Sequence, residues 1–335
     1  MMNLTTDISI IVPIYNSAKT LNACINSIIN QDFIHWELLL VDDGSTDGSL
    51  TICQKYGIKD QRIKSLSQTH QGVSSARNLA LKEAIGKYVC FVDADDTIEP
   101  DYLSSLYQYR SYDMVIGGYY VDCYDSDKKL KSSTPHLPHA IVLPYITNKE
   151  ELLPLFMNGM IHINCNKLLN LAIIQNNSLQ YSNYPVNEDY LFMVQYLKHA
   201  HSICTVQKSI YHWNRIENQK SGVSSMPTNL LAIYNEAHLS TRDYFKNNEI
   251  ADKILYFSYQ FLILKYFSLL KEKVASPQFV LEQLNKFHKN PLVKASYHAY
   301  KPQSRGEKII HEIQKRGYFR LYYILHQTIL KWTSY

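Results

Sequence analysis

The stretch YVCFVDADDTIEP, from Tyr88 to Pro100, decides the fold of this 335-residue chain. It begins as a short apolar run after a Gly-Lys turn and ends in three carboxylates, Asp93, Asp95 and Asp96. An apolar run bounded by turn signals is typical of a strand buried on both faces, which in a helix-alternating chain is an inner strand of a parallel sheet. We therefore expect the acids at the carboxyl end of this strand, where open α/β sheets bind their ligands.

Clustered carboxylates in that position predict a divalent cation site. Hard cations prefer oxygen ligands and often hold the phosphate oxygens of a substrate at the same time. Taken alone, the Asp-Ala-Asp-Asp segment leaves one alternative open: a loop whose acidic side chains stabilise the N-terminus of the helix that follows Pro100.

The composition is that of an ordinary globular protein, with 46% hydrophobic and 19% charged residues. The six cysteines are at least 29 residues apart, which excludes a Cys-x-x-Cys motif and a dense disulfide framework and favours a reducing, cytoplasmic compartment. The N-terminus lacks the basic patch and apolar core of a signal peptide, and no uninterrupted apolar stretch reaches membrane-spanning length.

Charge divides the chain into two parts. Residues 1–228 contain 18 basic and 22 acidic residues, whereas residues 229–335 contain 16 and 8, a net charge of +8. Such an asymmetry attracts nucleic acid, anionic lipid or an acidic carrier, and a plain solvated basic helical region has the same composition.

Strands and helices alternate with short connections through the first part, which predicts a right-handed doubly wound sheet. Residues 122–147 are predicted to form a surface excursion or hairpin, and residues 215–227 a mobile loop. The predicted strands are 8–14, 36–41, 63–66, 88–92, 114–121 and 203–213, and the later predicted helices are 149–157, 166–175 and 190–198.

From residue 229 onward the pattern is helical. The last segment, 306–335, mixes basic residues with apolar and aromatic ones, which is typical of an amphipathic helix on a membrane surface. A helix that packs onto the preceding helices or onto a second subunit would show the same mixture of basic and apolar residues. Peripheral membrane contact through 306–335 and homo-oligomerisation therefore both stay open.

Seven segments stand out in order over residues 9–224. They are SIIVPIYN (9–16), LVDDGSTD (40–47), QGVSSARN (71–78), FVDADD (91–96), CNKLLNLAIIQNNSLQY (165–181), NEDYLF (187–192) and the loop from Arg215 to SGVS (221–224). Together they resemble glycosyltransferase family 2, the inverting nucleotide-sugar transferases with a GT-A fold. One such segment is a weak signal, whereas seven in the family's order are a specific one. The resemblance implies a GT-A catalytic domain at 1–228, with a Rossmann-like mixed sheet, followed by an all-helical region at 229–335 that carries none of the motifs.

For the donor, the resemblance implies a nucleobase pocket. Pro13 and Tyr15 would line it, Tyr15 offering a flat face on which uracil stacks. Asp43 would accept a hydrogen bond from N3–H of the base, which favours a UDP-sugar. Arg77 would reach the base or the diphosphate, and surface pairing with Glu83 or another nearby acid is its alternative.

The resemblance also implies the metal. Asp95, in the family's Asp-x-Asp, would bind Mn²⁺ or Mg²⁺ bridging the diphosphate, and Asp93 would bind the ribose or a water of the metal. Asp96 would cap the following helix. The cation would act as a Lewis acid that stabilises the charge on the nucleoside diphosphate as it leaves.

For the acceptor, the family-matching base is Asp189, with Glu188 as runner-up. Both acids are also accounted for as favourable charges at a helix N-terminus. Arg215 and Lys220, with the 221–225 stretch, would fold over the diphosphate of the bound donor. The spacing from Arg215 to that stretch is longer than the family pattern, and His212 and Trp213 receive no role.

The sequence thus predicts a metal-dependent, inverting hexosyltransferase that uses a UDP-sugar. Its acceptor would be a surface glycan or lipid-linked glycan of the capsule, O-antigen or lipooligosaccharide type, built at the cytoplasmic face of the inner membrane; nucleic acid is not an expected partner. A receiver-like, Mg²⁺-binding signalling module explains the strand-end acids but not the second acidic helix start, and a nucleotidyltransferase lacks its Gly-rich signature near residue 15. A non-catalytic nucleotide-sugar-binding domain is disfavoured by the acids at 93, 95 and 189.

Overall fold

Two units make up the chain in the computed structural model, Met1–Thr228 and Asn229–Tyr335. The structure describes residues 6–216, 230–271 and 275–324. The N-terminal unit contains every strand of the described residues, and the C-terminal unit contains only helices there.

The strands of the N-terminal unit form one mixed sheet. In order along the chain they are β1 (Ile8–Ile14), β2 (Trp36–Asp42), β3 (Ile63–Ser67), β4 (Tyr88–Phe91), β5 (Thr97–Ile98), β6 (Met114–Tyr124), β7 (Leu130–His136), β8 (Val142–Leu143), β9 (Lys167–Asn170) and β10 (Ile203–Ile216). Their order in the sheet is β3-β2-β1-β4-β9-β6-β10-β5, with β7 beside β6 and β8 beside β10.

Helices connect these strands. The helices of this unit are α1 (Leu21–Ile29), α2 (Ser49–Lys59), α3 (Val73–Glu83), α4 (Tyr102–Tyr107), a 3₁₀ turn at Lys149–Leu152, α5 (Leu153–Met157), α6 (Leu171–Asn176) and α7 (Glu188–Leu197). Strand β1 runs parallel to β2 and to β4, and β2 runs parallel to β3. Every residue of β1 and β2 is buried, because both faces of this part of the sheet are covered. The predicted doubly wound α/β sheet is therefore confirmed.

The prediction of one helix over 166–175 is wrong at its start. Residues Lys167–Asn170 form β9, which runs antiparallel to both β4 and β6, and only then does α6 begin. The backbone of β9 is hydrogen-bonded to two neighbouring strands. Because of this pairing the segment is a strand, although its apolar residues have the spacing of a helix. The Asn170 side chain then accepts from Ala172 N at 3.1 Å and caps α6.

The predicted excursion at 122–147 is a hairpin. Strand β6 continues to Tyr124, and β7 returns antiparallel to it with all its residues exposed. The segment is rich in polar residues because β7 is exposed to solvent and contributes nothing to the hydrophobic core.

The C-terminal unit consists of α8 (Leu230–Phe245), α9 (Asn248–Lys271), α10 (Pro277–Lys289), α11 (Pro291–Ala299) and α12 (Arg305–Lys315) within its described residues. A buried polar cluster joins α8 and α9. Asp252 accepts from His238 at 2.6 Å and from Arg242 at 2.8 and 2.9 Å. None of the described helices is both long and apolar enough to cross a membrane.

Candidate active site

The loops that follow β1 and β2 interlock at the carboxyl edge of the sheet. Asn16 N donates to Ser45 Oγ at 2.9 Å, and Thr46 N donates to Asn16 Oδ1 at 2.8 Å. Ala18 N likewise donates to Asp47 Oδ2 at 2.9 Å. These bonds hold the two predicted base-binding segments side by side.

Asp43 is buried directly after β2 and holds the segment that precedes α3. Its Oδ1 accepts from Gln68 Nε2 at 2.7 Å and from Gln71 N at 2.8 Å, and its Oδ2 accepts from Gly72 N at 2.8 Å. The Nδ1 atom of His70 lies 2.8 Å from Oδ2 as well. Gly72 has a φ of 94°, a conformation that favours glycine at this turn into α3.

Tyr15 lies at the surface next to this cluster. Its ring stacks on the imidazole of His70, with centroids 4.1 Å apart and planes at 22°. Pro13 is buried inside β1, in register with Val41 of β2. Tyr15 and Asp43, the two residues predicted to contact the base, are thus linked by one side chain for which the sequence suggested no role.

The three acids after β4 have different surroundings. Asp96 is buried, and its carboxylate accepts from the hydroxyl of Tyr211 and, at 2.9 Å, from Asn214 N of β10. Burial and the charges of Asp93 and Asp95 raise the pKa of Asp96 well above its ordinary value. The expectation that Asp96 caps the next helix is wrong, because it lies five residues before Asp101, the residue that precedes α4.

Asp93 and Asp95 are the two acids of this segment whose side chains reach solvent. Asp95 is exposed, and 38% of the Asp93 side chain is exposed. Desolvation and the neighbouring charge of Asp93 raise the pKa of Asp95. In the described part of the chain no three His, Cys, Asp or Glu residues are arranged to hold a metal. Carboxylate oxygens are ligands that Mg²⁺ and Mn²⁺ prefer, so Asp93 and Asp95 fit such an ion only if the substrate supplies further oxygen ligands.

Arg77 is buried on α3 and contacts three acids. Its Nη2 lies 3.1 Å from Asp93 Oδ1, and its Nη1 lies 2.8 Å from Asp189 Oδ1 and 3.3 Å from Glu188 Oε1. Burial opposes the charge, yet Asp189 and Asp93 raise the pKa of Arg77 above its ordinary value. The alternative of a surface pair with Glu83 is wrong, because only 3% of Arg77 is exposed.

Asp189 and Glu188 form the first turn of α7, after Asn187 in a left-handed conformation with φ 60°. The pKa of Asp189 is raised to about 8: desolvation raises it most, the charge of Arg77 lowers it, and the charge of Glu188 raises it. A carboxylate with this pKa is a stronger base than an ordinary aspartate.

Lys167 is the largest departure from what the sequence suggested. Its ammonium group is fully buried and donates to the carbonyl oxygens of Met160 at 2.6 Å and Ile163 at 2.7 Å and to Asn166 Oδ1 at 2.9 Å. Desolvation lowers the pKa of Lys167 to about 8. Lys167 thereby fixes the loop that precedes β9, and the sequence signal for it is a lysine directly before the apolar pair Leu168 and Leu169.

Strand β10 supports the acids from the other side. Tyr211 Oη accepts from Asp93 N at 3.2 Å, and Asn214 Nδ2 donates to Asp95 O at 3.0 Å. His212 points elsewhere, with Nδ1 at 2.6 Å from Asp122 and Nε2 at 2.9 Å from Glu99.

The predicted closing loop begins at the end of β10. Arg215 is exposed there, with its guanidinium 5.2 Å from the ring centroid of Trp213. Lys220 and the 221–225 stretch lie outside the described residues.

Residues 9–176 match the family described as glycosyl transferase family 2. The chain belongs to this family. Family 2 membership favours the transferase hypothesis over the receiver-like module, and the matched residues contain both the strand-end acids and helix α3 with Arg77.

Two curated relatives of this family 2 chain extend the comparison. The cholesterol galactosyltransferase of Borreliella burgdorferi is 31% identical over 239 residues, which are 68% of this chain and 65% of that protein. Glycosyltransferase GlyA of Streptococcus pneumoniae is 44% identical over 117 residues, which are 34% of this chain and 17% of that protein. The chain thus spans less than two thirds of the length of either relative.

The fold of this family 2 chain also has a solved counterpart. The crystal structure of S. aureus TarS 1–349 in complex with UDP-GlcNAc matches with a TM-score of 0.69 and 21% sequence identity, over 97% of this chain and 92% of that one. This likeness confirms the expected GT-A fold.

Proposed function

We propose that this chain is a metal-dependent, inverting glycosyltransferase that moves a sugar from a UDP-sugar to a hydroxyl of a glycan acceptor. The observation that carries the proposal is the position of Arg77, whose guanidinium joins Asp93 at the strand end to Asp189 at the start of α7. Asp93, the acid proposed to bind the donor, and Asp189, the base proposed to act on the acceptor, therefore both contact the side chain of Arg77. We assign this chemistry to the N-terminal unit.

The donor side rests on Tyr15, Asp43 and the strand-end acids. Tyr15 offers a half-exposed ring for stacking, and Asp43 offers a buried carboxylate for the N3–H of uracil. The structural counterpart in S. aureus is a complex with UDP-GlcNAc, which supports uridine as the nucleoside of this chain's donor. Pro13 supports the pocket from within β1.

Asp95, with Asp93 beside it, would hold Mn²⁺ or Mg²⁺. When bound, the cation supplies Lewis-acid stabilisation of the diphosphate leaving group. Without it the exposed cluster is rich in negative charge, so a diphosphate would meet repulsion from both carboxylates. Arg215 and Lys220 would approach the same diphosphate from the end of β10.

On the acceptor side, Asp189 would accept the proton of the attacking hydroxyl. The acceptor oxygen forms a bond to C1 of the sugar, the bond from C1 to the diphosphate oxygen breaks, and UDP leaves with the electron pair. Attack opposite the leaving group inverts C1, so an α-linked donor gives a β-glycoside. Arg77 is a positioning residue, since it fixes Asp189 and offsets the charge of Glu188 and Asp93.

The C-terminal unit would bring the enzyme to an anionic membrane surface that carries a lipid-linked glycan. Tyr318, Leu321 and Ile324 are apolar residues that remain exposed after α12, and Arg316 and Arg320 alternate with them. Exposed apolar side chains among cations match anionic lipid headgroups and the acyl region beneath them. The predicted contact through 306–335 also covers residues 325–335, which lie outside the described residues. We place the protein at the cytoplasmic face.

Turnover tests the proposal. The protein is incubated with UDP-, GDP-, CDP- and dTDP-sugars, a bacterial lipid-linked glycan fraction and Mn²⁺, and the product is read by NMR. The proposal expects transfer from a UDP-sugar, an inverted anomeric centre and no transfer with EDTA. Transfer with retained configuration, or at full rate in EDTA, contradicts it.

Co-sedimentation with phosphatidylglycerol vesicles tests the membrane contact. We expect the double variant Arg316→Glu/Arg320→Glu to bind the vesicles more weakly than the wild type. Equal binding by the variant and the wild type contradicts the contact.

A further inference from the structure

His70 makes two contacts in the pocket assigned to the base. Its imidazole stacks on Tyr15 with ring centroids 4.1 Å apart and planes at 22°. Its Nδ1 lies 2.8 Å from Oδ2 of Asp43. A uracil that stacks on Tyr15 and donates N3–H to Asp43, as proposed above, would use the same ring and the same carboxylate.

We propose that His70 is a placeholder for the nucleobase: in the free protein its imidazole occupies the base position, and the donor binds by displacing it. This inference rests on the proposed function, because it takes Tyr15 and Asp43 as the base pocket. It adds a residue that sets donor affinity and that lies outside the family motifs quoted above.

The chemical match between the two rings is close. Both are flat and both present an N–H to a carboxylate, which when ionised can only accept. Nδ1 of His70 also lies 3.2 Å from the backbone oxygen of Asp43. Two acceptors therefore face this nitrogen, so it carries the proton and the imidazole donates to Asp43 as N3–H of uracil would.

His70 and a base cannot share the pocket. Rings with centroids 4.1 Å apart are already in contact, so no third ring fits between them. The carboxylate of Asp43 accepts from Gln68, Gln71 N, Gly72 N and His70, which fills its roughly four lone-pair positions. A fifth donor needs one of these four to leave.

Of the four donors, His70 is the one free to leave. Gln68 is fixed a second time, because its Oε1 accepts from Ser75 Oγ at 3.2 Å, and two of the other donors are backbone groups. The side chain of His70 is 55% exposed. Rotation about its Cα–Cβ bond would carry the imidazole into solvent without breaking the backbone contacts.

The backbone around His70 is held in place during such a rotation. Gln68 N donates to Asp42 O at 2.9 Å, and the backbone amides of Gln71 and Gly72 donate to the carboxylate of Asp43. A Cβ on Gly44 would lie 2.8 Å from His70 N, so this segment packs directly on the loop after β2. Displacement is therefore a side-chain event, and the pocket keeps its walls.

Calorimetric titration of the full chain tests the placeholder. UDP with Mg²⁺ is titrated into the wild type, His70→Ala and the control Thr69→Ala, which removes the neighbouring exposed side chain. Inorganic diphosphate with Mg²⁺ is the second ligand, since it lacks the base. Removing a competitor raises the fraction of binding-competent protein, so we expect His70→Ala to bind UDP about tenfold more tightly, with diphosphate and the Thr69→Ala variant unchanged.

Two results would overturn the inference while leaving the transferase hypothesis intact. Unchanged UDP affinity in His70→Ala would mean that the imidazole does not compete. Weaker UDP affinity would make His70 a wall of the occupied pocket. Failure of UDP to bind the wild type and both variants would instead overturn the proposed function together with the inference.

Discussion

Arg77 Nη1 lies 2.8 Å from Asp189 Oδ1, so a buried cation on α3 is paired with the candidate base on α7. The same guanidinium contacts Asp93 at 3.1 Å. One arginine thus offsets charge at both ends of the site. The pairing has consequences for catalysis, for the pH dependence and for stability, and each can be measured.

The first prediction separates the two acids of α7. Asp189→Asn should lower kcat about 1000-fold with little change in UDP affinity, because it removes the base and leaves the donor pocket intact. Glu188→Gln is the matched control and should stay within about tenfold of the wild type, since it only adjusts the charge near Asp189. Initial rates at saturating donor provide the comparison. Equal losses in the two variants would show that helix charge, not proton transfer, is what these acids contribute.

The second prediction is a pH profile. Asp189 works only when ionised, and desolvation raises its pKa to about 8, so turnover should rise with pH and level off above about 8. Arg77→Gln removes a charge that lowers this pKa, so the rising limb should move to higher pH. Rates from pH 6 to 10 in both proteins decide the matter. A wild-type rate that is already level at pH 6 would contradict the raised pKa of Asp189 as the source of the rising limb.

The third prediction concerns stability. An acid whose pKa is higher in the folded than in the unfolded chain binds its proton more tightly when folded, so its ionisation lowers stability as pH rises from about 4 to 8. Asp189→Asn cannot ionise. It should therefore have a higher denaturation midpoint than the wild type at pH 9, and the difference should shrink towards pH 5. An Asn variant that is less stable at both pH values would contradict the direction of the shift.

The fourth prediction tests the helical unit. Asp252 accepts from His238 and Arg242, and Asp252→Ala leaves both without their acceptor, at a cost of about 3 kcal/mol in the free energy of unfolding. The exposed pair of Glu249 with Lys253 on the same helix is the control, and Glu249→Ala should destabilise the protein much less, because solvent screens this pair. Urea denaturation measures both. Similar small losses in the two variants would mean that the buried cluster adds little stability.

Much of the fold was predictable because strand ends and acids coincide in the sequence. The runs that became β1, β2 and β4 are mostly apolar, and the acids that follow β2 and β4 lie at one edge of the sheet. Strand β9 was not predictable in the same way. Its residues have helical spacing, and only pairing with β4 and β6, far away in the sequence, makes them a strand.

The candidate site shows the same division. Asp93, Asp95 and Asp189 lie in quotable motifs, but the connection of Asp93 with Asp189 through Arg77 depends on how the chain folds. Lys167 could not be predicted as buried, because its burial depends on three oxygen acceptors supplied by a loop conformation. For His70 no local pattern indicates that a surface histidine folds onto Tyr15.

The central claim is that the acids after β4 bind a uridine nucleotide through a divalent cation. The most direct test is calorimetric binding of UDP, GDP, CDP and dTDP to the wild type and to Asp95→Asn, each with Mn²⁺ and again with EDTA. We predict UDP-selective binding that needs Mn²⁺ and is lost in Asp95→Asn. Binding of no nucleotide under any condition, or binding of UDP that is equal in EDTA and in Asp95→Asn, would contradict the claim.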